Sequence, residues 1–131
     1  MKMRPTRPYI FQAIRQWIID SGCTPFVFVR TDLFGVNVPE DFVNDHRIVL
    51  DLAPDSVRHY MLRDDVLTFE AVFGEQIQKI RIPMRAVLSI YAEENGAGWS
   101  FEDDEYPETN ESSDDAESGG DGEDQPTLRV L

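Results

Sequence analysis

Between residues 6 and 22 the apolar positions recur at helical spacing. Ile10, Ala13, Ile14, Trp17 and Ile18 form one stripe, and Phe11 and Ile19 lie off it. Thr6 stands where a helix cap is expected, and Pro8 fits the first turn. Gly22 suits the left-handed position just past the last turn, and Pro25 blocks continuation. A helix apolar on more than one side either sits deep in a core or covers a second protein surface. In a chain this small, a self-association surface is the expectation.

From residue 26 the period changes to two. Strands are expected over 26–31, 47–52, 59–63, 66–73, 76–82 and 87–92, with a short one at 36–38 stopped by Pro39. The breaks between them carry turn chemistry: Asp32–Gly35, the Ala53-Pro54-Asp55-Ser56 run, Asp64-Asp65, Gly74-Glu75 and Pro83. Many short strands behind one helix predict a mainly β, α+β domain whose sheet curls into a small barrel. The strand 66–73 places Leu67, Phe69, Ala71 and Phe73 on one face and Val66, Thr68, Glu70 and Val72 on the other.

After Phe101 the pattern stops. Residues 102–125 are almost all Glu, Asp, Ser, Gly, Asn, Thr and Pro, too polar to offset the entropy of ordering, so a disordered acidic linker is expected. The last six residues, Pro126 to Leu131, are apolar again and carry the only cation after residue 101, Arg129; they read as a short docking motif. The expected organisation is a folded domain at 1–101, a linker at 102–125 and a motif at 126–131.

Charge follows this division. Residues 102–131 hold 12 acidic residues and 1 basic one, against 13 and 11 in residues 1–101, so the tail supplies most of the net charge of −13. Nucleic-acid affinity is built from clustered Lys and Arg, so direct nucleic-acid binding is not expected. No run approaches about 18 consecutive apolar residues, the minimum for a membrane span. The N-terminus lacks the apolar core of a secretory signal, and Cys23 is the single cysteine; a cytoplasmic location is expected.

Catalytic patterns are missing. His46, His59 and Cys23 have no metal-ligand spacing, no nucleophile elbow or phosphate loop occurs, and neighbouring Asp64 and Asp65 point apart. Neither an enzyme nor a cofactor is expected.

The segments RPYIFQAIRQWIIDSGCTP, GVNVP at 35–39, IVLDLAP at 48–54, FEAVFG at 69–74, IPMRAVLSIYAEENGAG at 82–98 and the terminal PTLRVL together resemble the SspB family, adaptors of the ClpXP protease. The resemblance implies an Sm-like barrel and a homodimer joined largely through the first helix. It implies a groove for the ssrA tag, the peptide added to stalled products by ribosome rescue. It also implies docking of the C-terminal motif on the N-terminal zinc-binding domain of ClpX. Under that resemblance the groove falls to Phe69, Ala71 and Phe73, with Phe42 and Val43 as its other wall. The subunit contact falls to Phe11, Arg15, Ile18 and Ile19, with Trp17 shared with the core. The docking contacts fall to Leu128, Arg129, Val130 and Leu131. The rival reading is an Sm-like RNA- or ribosome-associated module.

Overall fold

In a computed structural model the described residues are 2–102 and Tyr106. The expected linker beyond Glu102, apart from Tyr106, and the motif at 126–131 lie outside them. One helix precedes two antiparallel sheets. Helix α1 spans Arg7–Asp20. The strands are β1 (Pro25–Arg30), β2 (Arg47–Asp51), β3 (Arg58–Arg63), β4 (Val66–Phe73), β5 (Gln76–Pro83), β6 (Val87–Ala92) and β7 (Gly98–Ser100). The first sheet runs β2-β1-β6-β7 and the second β3-β4-β5. The curl expected from the sequence takes the form of two sheets around one core rather than a single hydrogen-bonded ribbon.

The helix ends as its sequence dictates. Gly22 takes φ +79°. Its N–H donates to the Ile19 carbonyl, and the Cys23 N–H reaches back to Ile18, so the last carbonyls of the helix are satisfied by a left-handed cap. At the other end the Thr6 carbonyl accepts the N–H groups of Tyr9 and Ile10.

The buried face of α1 is turned away from the expected stripe. Arg7, Phe11 and Ile18 are buried and Ile14 partly so, whereas Ala13 and Trp17 are exposed. Residues 7, 11, 14 and 18 share a face at helical spacing. The pattern is masked because its first member is an arginine. Arg7 is 2% exposed. Its Nη1 donates to the Val87 carbonyl at 2.9 Å and its Nη2 to the Glu102 carbonyl. The guanidinium lies 5.1 Å from the Phe101 ring centroid and 4.9 Å from that of Tyr106. A buried cation is tolerated when hydrogen bonds and aromatic faces replace its water.

The sheets follow their alternation. β1 and β2 turn Val27, Val29, Ile48 and Leu50 inward, and β4 and β5 turn Leu67, Phe69, Ile80 and Ile82 inward. With Val87, Ile90 and Ala92 of β6 and Phe11 and Ile18 of α1 they form one apolar cluster. Asp64 and Asp65 both take positive φ, 55° and 66°, which matches the tight twisted turn joining β3 to β4. Two expectations change. Residues 36–38 form no strand; Asn37 makes a single antiparallel bridge to Arg81 of β5. Strand β7 had not been expected. It pairs with β6 through Gly98, opposite Tyr91, where any Cβ would collide with the backbone of Ile90 and Tyr91.

Candidate functional site

A cleft of about 470 Å³ opens between the two sheets. Phe26, Val49 and Asp51 line it from the first sheet, and Phe69, Ala71, Val72 and Phe73 from β4, with Asp55 and Ser56 at one end. Phe26, Val49 and Asp51 fall on the face of their sheet opposite the inward set, because Phe26 pairs with Asp51 and Phe28 with Val49. Val49 is 44% exposed and Val72 64% exposed, so the walls are apolar and open to water.

Phe69, Ala71 and Phe73 thus stand together in this cleft. Phe69 is 2% exposed and forms its floor; Ala71 and Phe73 are partly buried. The small Ala71 leaves a notch between the two rings. Phe42, in a short helical turn Glu40–Phe42, packs its ring on Phe73 with centroids 5.1 Å apart, and so extends the wall without lining the floor. Val43 leans on the core beside it. Phe26, Val49 and Asp51 were missed. Phe26 and Val49 were signalled only as large outward apolar residues on otherwise alternating strands, which cannot be attached to β4 until the strand order is known, and Asp51 carried no signal.

Strand β2 stands at the end of its sheet, beside the cleft. A sheet-end strand offers backbone donors and acceptors along one side, so an extended chain lying in the cleft would meet backbone groups on one wall and aromatic surface on the other.

The expected subunit-contact residues divide. Phe11, at 0% exposure, and Ile18, at 2%, lie inside the protomer's own core, so their side chains are not part of an outer face. Arg15 is partly buried: its Nε donates to the Leu52 carbonyl at 3.0 Å, and its guanidinium stacks 3.9 Å from the Tyr60 centroid. Tyr60 donates its hydroxyl to Gln12 at 2.6 Å, and burial pushes its phenol up to about 12 against the pull of Arg15. Ile19 is partly exposed. Trp17 is 44% exposed, on one face with Ala13 and with Tyr9 at 61%.

Another carboxylate, away from the cleft, ties two strands together. Thr24 donates its N–H and its hydroxyl to the two oxygens of Glu94, at 2.8 and 2.7 Å, which holds that carboxyl below its ordinary range and ties the start of β1 to the end of β6. Among the described residues no group of three or more His, Cys, Asp and Glu is placed to hold a metal ion. No helix there is long and apolar enough to cross a membrane.

The family model for stringent starvation protein B (SspB) matches residues 5–128. The chain belongs to the SspB family. A relative in Haemophilus influenzae, described as a stringent starvation protein B homolog, is 41% identical over 110 residues, an alignment that spans 83% of this chain and 73% of that protein. Two of the segments that carry the resemblance meet at the cleft: FEAVFG holds Phe69, Ala71 and Phe73, and IVLDLAP holds Val49 and Asp51.

Proposed function

We propose that this chain is an adaptor that holds the ssrA tag of ribosome-rescue products in the cleft between the two sheets and hands the tagged protein to the ClpX unfoldase. The observation that carries the reading is the cleft itself: an open, apolar trough with a notch at Ala71, bordered by a sheet-end strand, in a member of the SspB family. An unstructured tag fits such a trough because every second side chain of an extended peptide enters the notches while its backbone pairs along the sheet.

The rest of the sequence supplies the second half of the device. Leu128 and Val130 alternate in the terminal hexapeptide and would bury together on a shallow apolar site of the ClpX zinc-binding domain, with Arg129 and Leu131 beside them. A flexible linker of about 24 residues has a root-mean-square reach of roughly 25–30 Å. Holding tag and unfoldase on one chain converts capture into an intramolecular step at an effective concentration on the order of millimolar. Delivery then requires no bond-making: the adaptor lowers the apparent KM by tethering. Dimerisation through the outer face of α1, with Tyr9, Ala13 and Trp17 meeting their symmetry mates, gives each assembly two clefts and two tails.

The cleft is tested with Ala71→Gln. A longer polar side chain fills the notch between the Phe69 and Phe73 rings. Fluorescence anisotropy of a labelled ssrA peptide should show binding to the natural chain and a loss of at least about tenfold in the variant, or about 1.4 kcal/mol. Equal affinity in both would move the tag to another surface.

A further inference from the structure

The open face of the second sheet concentrates positive charge in a chain of strongly negative net charge. Cross-strand register places Arg58, Glu70 and Lys79 on one rung and Thr68 and Arg81 on the next, with Met61 and Arg63 toward the same end. Arg58, Arg63, Lys79 and Arg81 are all exposed. Glu70 is the one carboxylate among these positions, and His59 Nε2 stands 3.9 Å from it. Exposed apolar side chains interrupt the charges: Met61 at 47%, Val72 at 64% and Ile77 at 57%.

The root of the tail is linked through buried Arg7 to one end of this sheet. Tyr106 and Glu102 are held by Arg7, whose Nη1 reaches the Met84 carbonyl at 3.4 Å; the Met84 N–H in turn donates to the Asp65 carbonyl at 2.8 Å. Asp65 leads into β4 at the end of the sheet where Val66 pairs with Pro83. From Val66 to the Glu70 rung is about 13 Å along the strand, at about 3.3 Å per residue. Residues 107–125 carry eight acidic side chains and no basic one. A flexible chain of nineteen residues would reach roughly 25 Å, about twice that distance along the strand.

We propose that the open face of β3-β4-β5 is the resting dock of the chain's own acidic segment 107–125, engaged in cis and governed by ionic strength. The linker is then more than a spacer. Its charge is attracted to one face of an otherwise acidic body, which shields that face from other polyanions and keeps the terminal hexapeptide close to its own protomer. Exposed ion pairs are individually weak, so the dock exchanges rapidly and yields when salt shortens the Debye length from about 30 Å at 0.01 M to about 3 Å at 1 M.

The test uses the full chain with Cys23→Ser and Ala116→Cys, spin-labelled at residue 116, and reads amide signal loss by NMR. At 0.01 M salt the amides of residues 58–61 and 77–81 should lose about half or more of their intensity, while those of β1 and β6 keep theirs, and at 1 M salt the loss should vanish. The pair Arg58→Glu and Lys79→Glu should abolish it at low salt; Arg81 is left in place because its Nη1 also supports the loop at Gly35. No loss at 0.01 M, loss spread evenly over both sheets, or loss that persists in the double variant overturns the proposal. So does loss that appears between a labelled chain and an isotope-enriched unlabelled one, because the dock would then belong to a second copy.

Discussion

The ring of Phe42 rests on the ring of Phe73, 5.1 Å between centroids and tilted by 59°. This contact joins the loop after β1 to the far end of β4, and it closes one end of the cleft that Ala71 notches. Phe42 is 54% exposed, so the pair shapes the rim rather than the core.

Phe42→Ala should therefore weaken tag binding while leaving the fold in place. An aromatic pair contributes about 0.5–1.5 kcal/mol beyond area burial, so affinity should fall roughly threefold to tenfold. Anisotropy titration with the labelled peptide measures this, and an unchanged urea midpoint shows that the loss is local.

Much of this architecture was legible because strand period and turn chemistry agree. The helix, six strands and the Asp64-Asp65 turn follow from residues that favour those states locally. The rotation of α1 was not legible, since a buried arginine heads the inward face and sequence rules place Arg outside. Three-residue β7 was hidden because it starts in the Gly-rich stretch Gly96-Ala97-Gly98, where no alternation marks a strand. Ala71 between two phenylalanines marked one wall of the cleft, but Phe26 and Val49 join it only through the order β2-β1-β6-β7, a long-range property that local patterns do not carry.

Arg7→Met should cost about 3 kcal/mol of stability. The replacement keeps apolar bulk between the Phe101 and Tyr106 rings but leaves buried carbonyls unpaired, at about 1–3 kcal/mol each before relaxation. Urea denaturation followed by tryptophan fluorescence reads the shift, and Arg7→Lys should rescue only part of it, because one ammonium cannot reproduce the planar fork.

Tyr60 should titrate late. Its folded pKa near 12 lies above the ordinary 10.0, so the protonated phenol is favoured in the native state. That contribution is complete below pH 10 and is lost as pH rises through 12, to a total on the order of 2–3 kcal/mol. Absorbance titration at alkaline pH should show a late phenol transition that is lost in Tyr60→Phe.

Trp17→Glu places a charge on the face shared with Tyr9 and Ala13 and should convert dimers to monomers without unfolding the protomer, since Trp17 is 44% exposed. Sedimentation equilibrium at micromolar concentration decides this. A natural chain already monomeric there would remove α1 as a subunit contact.

Tethering is tested most directly by degradation of an ssrA-tagged fluorescent protein by ClpXP at substrate well below KM, with the full chain and with a chain ending at residue 125. The full chain should accelerate loss of fluorescence. The truncated chain should bind the tag peptide with unchanged affinity, give no acceleration, and inhibit at high concentration by holding the tag away from ClpX. Full acceleration by the truncated chain would contradict the account.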